Sequence, residues 1–358
     1  MTKANKIIDI FILSYNRPEQ LKRIFESFRG FAFDNVRIII KDDCSPSFIE
    51  IEQVFEYYKN ILNVEVLLHK NELNLGYDLN LLDCFNVAES EYLYLLSDDD
   101  YLNVGELSGL LEYINLTKKD FYISTHSNHG KKYRQFESIS LSSVYKPDFV
   151  YNSILFSGLI FKVSRFNIST PEIDFLKNCI YSQVYVVAKF FKESKEFGCF
   201  DGDVLILGGD GENYFGKNNS SSALESKELS DRQSILSNFN YQRKLLKVVK
   251  YIDENLFEGI YSDFKHSYSI RLIAYFIKAR VNSKDDYMSL YRLYINQKDV
   301  TVPKIFMAII YSVRFIPSFL LKFTYKLGTL LLRKSGWKNR FRFRQNLKTE
   351  IFYRKRKL

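Results

Sequence analysis

Three consecutive carboxylates, Asp98, Asp99 and Asp100, follow a short apolar run, Tyr92 to Leu96. Like charges this close raise one another's pKa, so a bound cation is the simplest way to keep them ionised. Carboxylate oxygens are ligands for Mg²⁺ and Mn²⁺, and a metal held here can bridge two phosphates and stabilise a leaving diphosphate. The run therefore predicts a divalent-metal site. The alternative is a solvated turn that caps the next helix.

Two more polar groups follow apolar runs in the same way. Lys41-Asp42-Asp43-Cys44-Ser45-Pro46 comes after Val36 to Ile40, and Ser14-Tyr15-Asn16-Arg17 comes after Ile7 to Leu13. An Asp in the first group can accept hydrogen bonds from a base or a ribose. The alternative is capping alone, with Ser45 as the cap of the next helix and Asn16 as the cap of the helix that contains Pro18.

The elements that must position these groups alternate apolar runs with segments of helical period. This alternation is typical of βαβ units with a largely parallel sheet. Strands are predicted at Ile7 to Leu13, Val36 to Ile40, Val64 to Leu68 and Tyr92 to Leu96. Helices are predicted between them near 18–30, from Ser45 or Ser47 to about Leu62, and near 79–88. The carboxyl ends of such strands meet at one edge of the sheet, where doubly wound folds bind ligands.

Farther along the chain the pattern is still α/β, and then becomes helical. We predict a helix at Leu107 to Leu116, a strand at Phe121 to Ser124, a strand at Ile154 to Val163 interrupted by Ser157-Gly158, a helical region from Glu172 to Glu193 and a strand at Val204 to Leu207. A glycine-rich polar loop, 208–213, follows. Residues from about Glu225 to Ile295 are predicted to be helical.

The three strand-end groups, together with Asn74-Leu75-Gly76, have the order and spacing of the family-two glycosyltransferases, which this sequence resembles over roughly Ile7 to Leu102. The resemblance implies the nucleotide-binding α/β fold called GT-A in residues 1–215. It also implies transfer of a sugar from a nucleoside-diphosphate donor. The stretch from Asn74 to Asn80, followed by Ser-Asp-Asp-Asp, is similar to the abequosyltransferase-like branch of O-antigen synthesis.

The resemblance also implies roles for the matching residues. It places Ser14, Tyr15 and Arg17 near the nucleotide, Asp43 at the base, Asp98 at the ribose or in the metal shell, and Asp99 as the main ligand of Mn²⁺ or Mg²⁺, supported by Asp100. Asp78 and Asn80 are then expected to face the donor, with helix capping as the alternative. Ser97 stands where most family members have an Asp, so the first acid of the usual D-x-D-D pattern is absent.

A general base is needed near the acceptor hydroxyl for an inverting transfer, which is the family default. Asp174 is our first candidate. Asp210 and Glu212, in the glycine-rich loop, are alternatives that could instead contact the diphosphate. The competing interpretation of all three is an ordinary surface acid.

Charge is concentrated at the end of the chain. Residues 301–358 contain fifteen Lys or Arg and one Glu, a net +14 against +9 for all 358 residues, so residues 1–300 are mildly acidic. After a helical region at 216–300, we therefore predict a basic amphipathic segment at 301–358 that lies on an anionic membrane surface. The alternative is a helical pair packed on the catalytic body. The polar start, Met1 to Lys6, and four widely spaced cysteines favour a cytoplasmic protein attached to the inner face of the plasma membrane.

The sequence thus predicts single-sugar transfer from a nucleoside-diphosphate sugar to a saccharide acceptor in bacterial surface polysaccharide synthesis. A lipid-linked acceptor fits the basic segment, and nucleic acid is not an expected partner. Processive synthesis is disfavoured because spanning helices and a Gln-x-x-Arg-Trp element are absent from the sequence. The alternatives are a non-catalytic sugar-nucleotide binder or scaffold and, from another class, a nucleic-acid-binding protein that uses the basic segment.

Overall fold

The computed structural model describes residues 6–30, 32–128, 131–134, 150, 152–194, 196–208, 226–296 and 304–323. Its first half alternates strands and helices as the sequence predicts. The elements are β1 (Ile8–Ser14), α1 (Pro18–Ser27), β2 (Ala32–Asp42), α2 (Phe48–Lys59), β3 (Asn63–Lys70), α3 (Tyr77–Val87), β4 (Tyr92–Ser97), β5 (Tyr101–Leu102) and α4 (Val104–Thr117).

The second half of the α/β part adds strands that pair mainly in the antiparallel direction. They are β6 (Phe121–Asn128), β7 (Lys131–Tyr133), β8 (Leu159–Lys162) and β9 (Gly198–Ile206), with helices α5 (Thr170–Leu176) and α6 (Ser182–Glu193) between the last two strands. The described strands form one sheet in the order β3-β2-β1-β4-β8-β6-β9-β5, and β7 pairs with β6.

The register of the parallel strands brings the predicted motifs to one edge. β1 lies between β2 and β4, with Ser14 opposite Asp42 and Leu13 opposite Ser97. All seven residues of β1 are buried, as expected for a central parallel strand that is covered on both faces. Ile8, Ile10 and Ile12 join the main hydrophobic core on one of these faces. The three polar groups after β1, β2 and β4 are therefore neighbours.

Two predictions beyond β6 are wrong in their boundaries. The strand predicted at Ile154 to Val163 begins only at Leu159, because the chain turns at Gly158, which has a φ of +82°. The single helical region predicted from Glu172 to Glu193 is two helices, separated at Asn178 and Ile180, whose φ values are 65° and 61°. Positive φ values cannot continue an α-helix.

The chain divides into two compact units, Met1–Tyr145 with Asn152–Glu212, and Lys146–Tyr151 with Asn213–Leu358. The first contains the sheet. In the second, the described elements are the helices α7 (Ser226–Asn255), α8 (Ile260–Asn282), α9 (Lys284–Ile295) and α10 (Lys304–Val313). α8 packs against the other three, and its side chains Leu272 and Phe276 are fully buried.

Candidate active site

The acidic run lies where β4 ends, and its three carboxylates have different surroundings. Asp98 is 5% exposed and accepts a hydrogen bond from Arg17, with 2.9 Å between Arg17 Nη1 and Asp98 Oδ1. Burial raises the pKa of Asp98 to about 7; the positive charge of Arg17 acts against this rise and the negative charge of Asp99 adds to it. Arg17 is itself buried at the start of α1. The pair joins the ends of β1 and β4 inside the protein.

Asp100 is held by the backbone of a segment distant in sequence. Its Oδ1 accepts a hydrogen bond from the amide of Gly208 at 3.0 Å, and it is 5% exposed. Burial raises the pKa of Asp100 to about 6, although interactions with Ser157 and Gly208 oppose the rise. Ser157 Oγ also accepts a hydrogen bond from the amide of Ser97 at 3.0 Å. Asp100 therefore has a structural role at the carboxyl end of β4.

Asp99 is the most exposed of the three carboxylates, and it is only half-buried. The hydroxyl of Ser97 donates to its Oδ1, and within the described residues no hydrogen bond to Oδ2 is present. Ser97 thus orients the central acid of the run. One carboxylate oxygen is left for a ligand.

A cage of protein ligands is not present in the described parts of the chain, where no group of three or more His, Cys, Asp or Glu side chains could hold a metal ion. Mg²⁺, however, is commonly bound through one or two carboxylates with substrate phosphates supplying further oxygens. Asp99 fits this mode because it is a hard oxygen donor at the open side of the run, whereas Asp98 and Asp100 are engaged by protein groups.

Asp43 organises the loop that precedes α3. Its Oδ1 accepts hydrogen bonds from the amide of Leu75 at 2.8 Å and from Asn71 Nδ2 at 2.9 Å, and its Oδ2 accepts from the amide of Gly76 at 2.9 Å. The side chain is 4% exposed. Gly76 has a φ of +76° and is the N-cap of α3. Asp43 therefore fixes the backbone of this loop beside the end of β2.

A buried lysine, to which the sequence pattern assigns no role, is part of the network that holds this loop. Lys41 is fully buried; its Nζ donates to Asp83 Oδ2 at 2.7 Å and also to Asn71 Oδ1. Asn71 Nδ2 donates in turn to Asp43 and to Asn80 Oδ1, the latter at 2.8 Å. A lysine at the end of an otherwise apolar strand is the signal that could have revealed this network, because a buried ammonium group needs partners.

The turn after β2 is tied to the turn after β1, which corrects two capping predictions. Asp42 accepts hydrogen bonds from the amide of Ser45 at 3.0 Å and from its hydroxyl, and Ser45 Oγ accepts from the amide of Asn16 at 2.7 Å. The N-caps of α1 and α2 are Arg17 and Ser47, not Asn16 and Ser45. Asn16 has a φ of 59°, which is outside the helical range.

The remaining predicted donor residues lie near this edge in several settings. Ser14 is buried, its carbonyl accepts from the amide of Asp43 at 3.0 Å, and Tyr15 is half-buried. Asp78 is buried and accepts hydrogen bonds from the amides of Ile180 and Ser182, at 2.8 and 3.2 Å. It therefore anchors the start of α6.

Asn80 is buried in the network beneath the loop, where it accepts from Asn71 and donates to the carbonyl of Lys41 at 3.4 Å. For both Asp78 and Asn80 the structure provides protein partners. Contact with a donor stays a prediction.

The candidates for the general base are not brought to the acidic run by any contact in the structure's described part. Asp174 is exposed on the short helix α5, and Asp210 and Glu212 lie outside the described residues. Glu172, two residues before Asp174, already has protein partners. It accepts hydrogen bonds from Tyr185 and from Lys189, whose Nζ lies 2.9 Å from Glu172 Oε2. The identity of the base stays a prediction.

Arg134 is a second residue that sequence analysis missed. Its guanidinium is buried, and it donates to the carbonyls of Ser157, at 2.6 Å, and Leu155. Burial lowers the pKa of Arg134 to about 10, while the charge of Asp100 acts in the opposite direction. Gly158 has a φ of +82°, which favours glycine, and a Cβ there would also lie 2.9 Å from Arg134 Nη1. Arg134 thus supports the segment that contacts Ser97.

Comparison with known proteins identifies similar glycosyltransferases. Residues 9–171 match the family model described as glycosyl transferase family 2. Abequosyltransferase RfbV of Salmonella typhimurium is 28% identical over 127 residues, which are 35% of this chain and 37% of that protein. The putative colanic acid biosynthesis glycosyl transferase WcaA of Escherichia coli is 26% identical over 163 residues, 44% of this chain and 57% of that protein. The matches thus span less than two thirds of either relative.

A solved structure shares the fold. The mannosyltransferase PcManGT from Pyrobaculum calidifontis, in complex with GDP-Man and Mn²⁺, is similar with a TM-score of 0.50 and 8% sequence identity, over 93% of this chain and 83% of that one.

Proposed function

We propose that the chain, whose residues 9–171 form a glycosyl transferase family 2 domain with the GT-A fold, transfers a single sugar from a nucleoside-diphosphate sugar to a saccharide acceptor. One observation carries the proposal. The ends of β1, β2 and β4 meet at one edge, where Arg17 pairs with Asp98, Asp43 fixes the 71–76 loop, and Asp99 keeps an oxygen without a partner among the described residues.

Two segments of the chain, the 71–76 loop and the acidic run, form the proposed binding site for the donor. The loop ordered by Asp43 lies between β3 and α3 and is our proposed contact for the base and ribose, with Ser14, Tyr15, Asp78 and Asn80 as further candidates. The acidic run after β4 is our proposed contact for the diphosphate. The buried Arg17–Asp98 pair fixes the acidic run to the end of β1, which lies between β2 and β4.

Asp99 is our proposed ligand for Mn²⁺ or Mg²⁺, with Asp98 and Asp100 behind it. A divalent cation there would supply Lewis-acid stabilisation of the charge that develops on the leaving diphosphate. Ser97 orients Asp99, while Gly208 and Ser157 hold Asp100. The protein itself orients the Asp99 carboxylate and fixes Asp98 and Asp100 on either side of it.

The acceptor is proposed from the kinds of relative found and from the charge of the chain. The names of the two bacterial relatives refer to abequose transfer and to colanic acid biosynthesis, which supports a surface polysaccharide, such as O-antigen or capsule, as the product. We propose inversion at the anomeric carbon, with Asp174, Asp210 or Glu212 as the base. The basic segment supports a lipid-linked acceptor at the cytoplasmic face of the membrane.

The test is a screen of UDP-, GDP-, dTDP- and CDP-sugars for release of the nucleoside diphosphate, with Mn²⁺, Mg²⁺ or EDTA. We compare the natural chain with Asp99→Asn and with Asp34→Asn, which changes an exposed acid at the start of β2. The expected result is metal-dependent turnover that Asp99→Asn lowers by about a hundredfold or more and Asp34→Asn leaves unchanged. Equal turnover of all three proteins, or turnover that EDTA does not affect, would contradict the metal assignment.

A non-catalytic sugar-nucleotide binder is distinguished in the same screen. Calorimetric binding of a nucleotide sugar without turnover, in the presence of each purified candidate acceptor, would favour that alternative. Separate Asp174→Asn, Asp210→Asn and Glu212→Gln variants then identify the base, because removal of a base lowers kcat and leaves the affinity for the donor nearly unchanged.

A further inference from the structure

A cluster of large apolar side chains is exposed on the second unit, along α10 and the residues that follow it. Ile305, Phe315, Phe319 and Phe323 are 67%, 66%, 70% and 63% exposed, and Ile309 is 42% exposed. We call these five side chains the apolar surface. Single exposed apolar residues are common on soluble proteins, but a concentration of this kind within twenty residues marks an interaction site.

The apolar surface belongs to a segment that is anchored to the rest of its unit. Ile310, Val313 and Leu321, which alternate with the exposed residues, are 0%, 3% and 4% exposed. Tyr287 Oη donates to the carbonyl of Ile310 at 2.9 Å, and Arg280 Nη1 donates to Ser318 Oγ at 2.8 Å. The segment therefore has a packed side and an open side, and the open side is the apolar one.

Charge indicates what this surface contacts. Lys304, Arg314 and Lys322 are exposed among the apolar residues, and the sequence has no acidic residue between 301 and 349. Apolar side chains interleaved with cations are suited to a bilayer interface, where apolar groups enter the acyl region and cations meet anionic headgroups. A protein partner with an apolar patch would leave these cations without compensation.

The helix α10 has 10 residues, which is too short to cross a bilayer. Among the described residues, none of the helices has the length and apolar character of a membrane span. The segment 304–323 is therefore expected to lie parallel to the membrane plane, with its packed side facing the protein and the apolar surface facing the lipid.

We propose that the apolar surface is a docking surface for an anionic lipid bilayer, so that membrane contact includes the packed segment 304–323 and does not depend only on the basic residues beyond 323. This inference deepens the proposed function, since it rests on a lipid-linked acceptor as the reason for membrane contact. It specifies which side chains enter the lipid.

The test is flotation of the full chain with vesicles. Vesicles of phosphatidylglycerol and phosphatidylethanolamine are compared with vesicles of phosphatidylcholine. The variant combines Phe315→Ser, Phe319→Ser and Phe323→Ser. The matched control combines Ile49→Ser and Leu116→Ser, two residues that are 70% and 76% exposed on the other unit. We expect binding to anionic vesicles that the triple variant weakens by about tenfold or more and the control does not weaken.

Depth of insertion gives an independent measurement. The chain has one tryptophan, Trp337, so Phe319→Trp in a Trp337→Phe background reports on position 319 alone. Quenching of this fluorescence by brominated lipids is the expected result. Flotation without quenching, or equal flotation of the triple variant, would overturn the proposal, as would sedimentation showing that the natural chain is a dimer that the triple variant dissociates.

The outcome can be separated from the proposed function. Turnover of the nucleotide sugar with a water-soluble acceptor should be the same for the natural chain and the triple variant. If the triple variant loses flotation but keeps full turnover, the docking surface is supported. If none of the proteins turns over, the catalytic proposal is contradicted, and the flotation result alone still tests the docking surface.

Discussion

Replacement of Gly208 by alanine tests whether the close contact of residue 208 with Asp99 and Asp100 is needed to position the acidic run. A Cβ at position 208 would lie 1.5 Å from the carbonyl oxygen of Asp99 and 2.7 Å from its carbonyl carbon, whereas real Cβ atoms almost never approach within 3.0 Å. The obstacle is backbone, so either Asp99 or residue 208 must move by about 1.5 Å, and a misplacement of about 1 Å in an active site can cost about a hundredfold in rate.

The same displacement breaks a hydrogen bond. The amide of Gly208 donates to Asp100 Oδ1 at 3.0 Å, and a buried acceptor left without its partner costs about 1–3 kcal/mol. We therefore expect Gly208→Ala to lower kcat/KM by about a hundredfold and to lower the free energy of unfolding by about 1–3 kcal/mol, measured by steady-state kinetics and urea denaturation.

Gly105→Ala is the matched control for this substitution. A Cβ at Gly105 would meet only Asn103 Oδ1, at the ordinary contact distance of 3.5 Å. Position 105 is in the first turn of α4, so alanine should leave turnover unchanged and raise stability by about 0.5–1 kcal/mol. If Gly208→Ala behaves like this control, in both rate and stability, the close approach of residue 208 to the acidic run does not matter and the reasoning fails.

Three other predictions concern the framework. Arg37→Met should lower the free energy of unfolding by about 3–5 kcal/mol in urea denaturation, because it removes the counter-charge of Asp9. Asp9 is fully buried, and each of its carboxylate oxygens accepts a hydrogen bond from Arg37 at 2.8 Å. Asp78→Ala should lower it by about 1–2 kcal/mol through loss of the cap on α6; an increase in KM for the donor without loss of stability would instead assign Asp78 to the donor. Glu172→Gln should lower the melting temperature at pH 7 but not near pH 2. Burial alone would raise the pKa of Glu172, but hydrogen bonds outweigh burial and lower this pKa from 4.5 to about 2. The stabilisation by the Glu172 carboxylate is therefore complete above pH 4.5 and is lost as the pH falls towards 2.

The parts of the site that could be predicted are those that chain order alone brings together. Parallel strands place successive carboxyl ends at one edge, so the neighbourhood of Arg17, Asp43 and Asp98 follows from the pattern of apolar runs. The chemistry of the individual acids does not follow from it. Three adjacent aspartates look equivalent in sequence, but their partners come from residues 17, 97 and 208.

Long-range pairing explains the features that could not be predicted. Lys41 meets Asn71 and Asp83, residues 30 and 42 positions away, and Arg134 meets a turn more than twenty residues later. No local period encodes these contacts. The break between α5 and α6 could not be predicted because positive φ values at Asn178 and Ile180 have no strong sequence signal, whereas Ser157-Gly158 marks the interruption before β8 without showing that the strand starts only after it.

The contacts of Asp43 bear on where substitutions aimed at the proposed donor site should be made. Both of its oxygens are engaged by the backbone at residues 75 and 76 and by Asn71, so a substitution there would disturb the geometry of the loop that we propose to contact the donor. Mutant libraries would be better directed at Glu72, Leu73 and Asn74, whose side chains are exposed on the same loop. We expect variation at these three positions to alter selectivity for the proposed donor while the carboxylate that shapes the loop is retained.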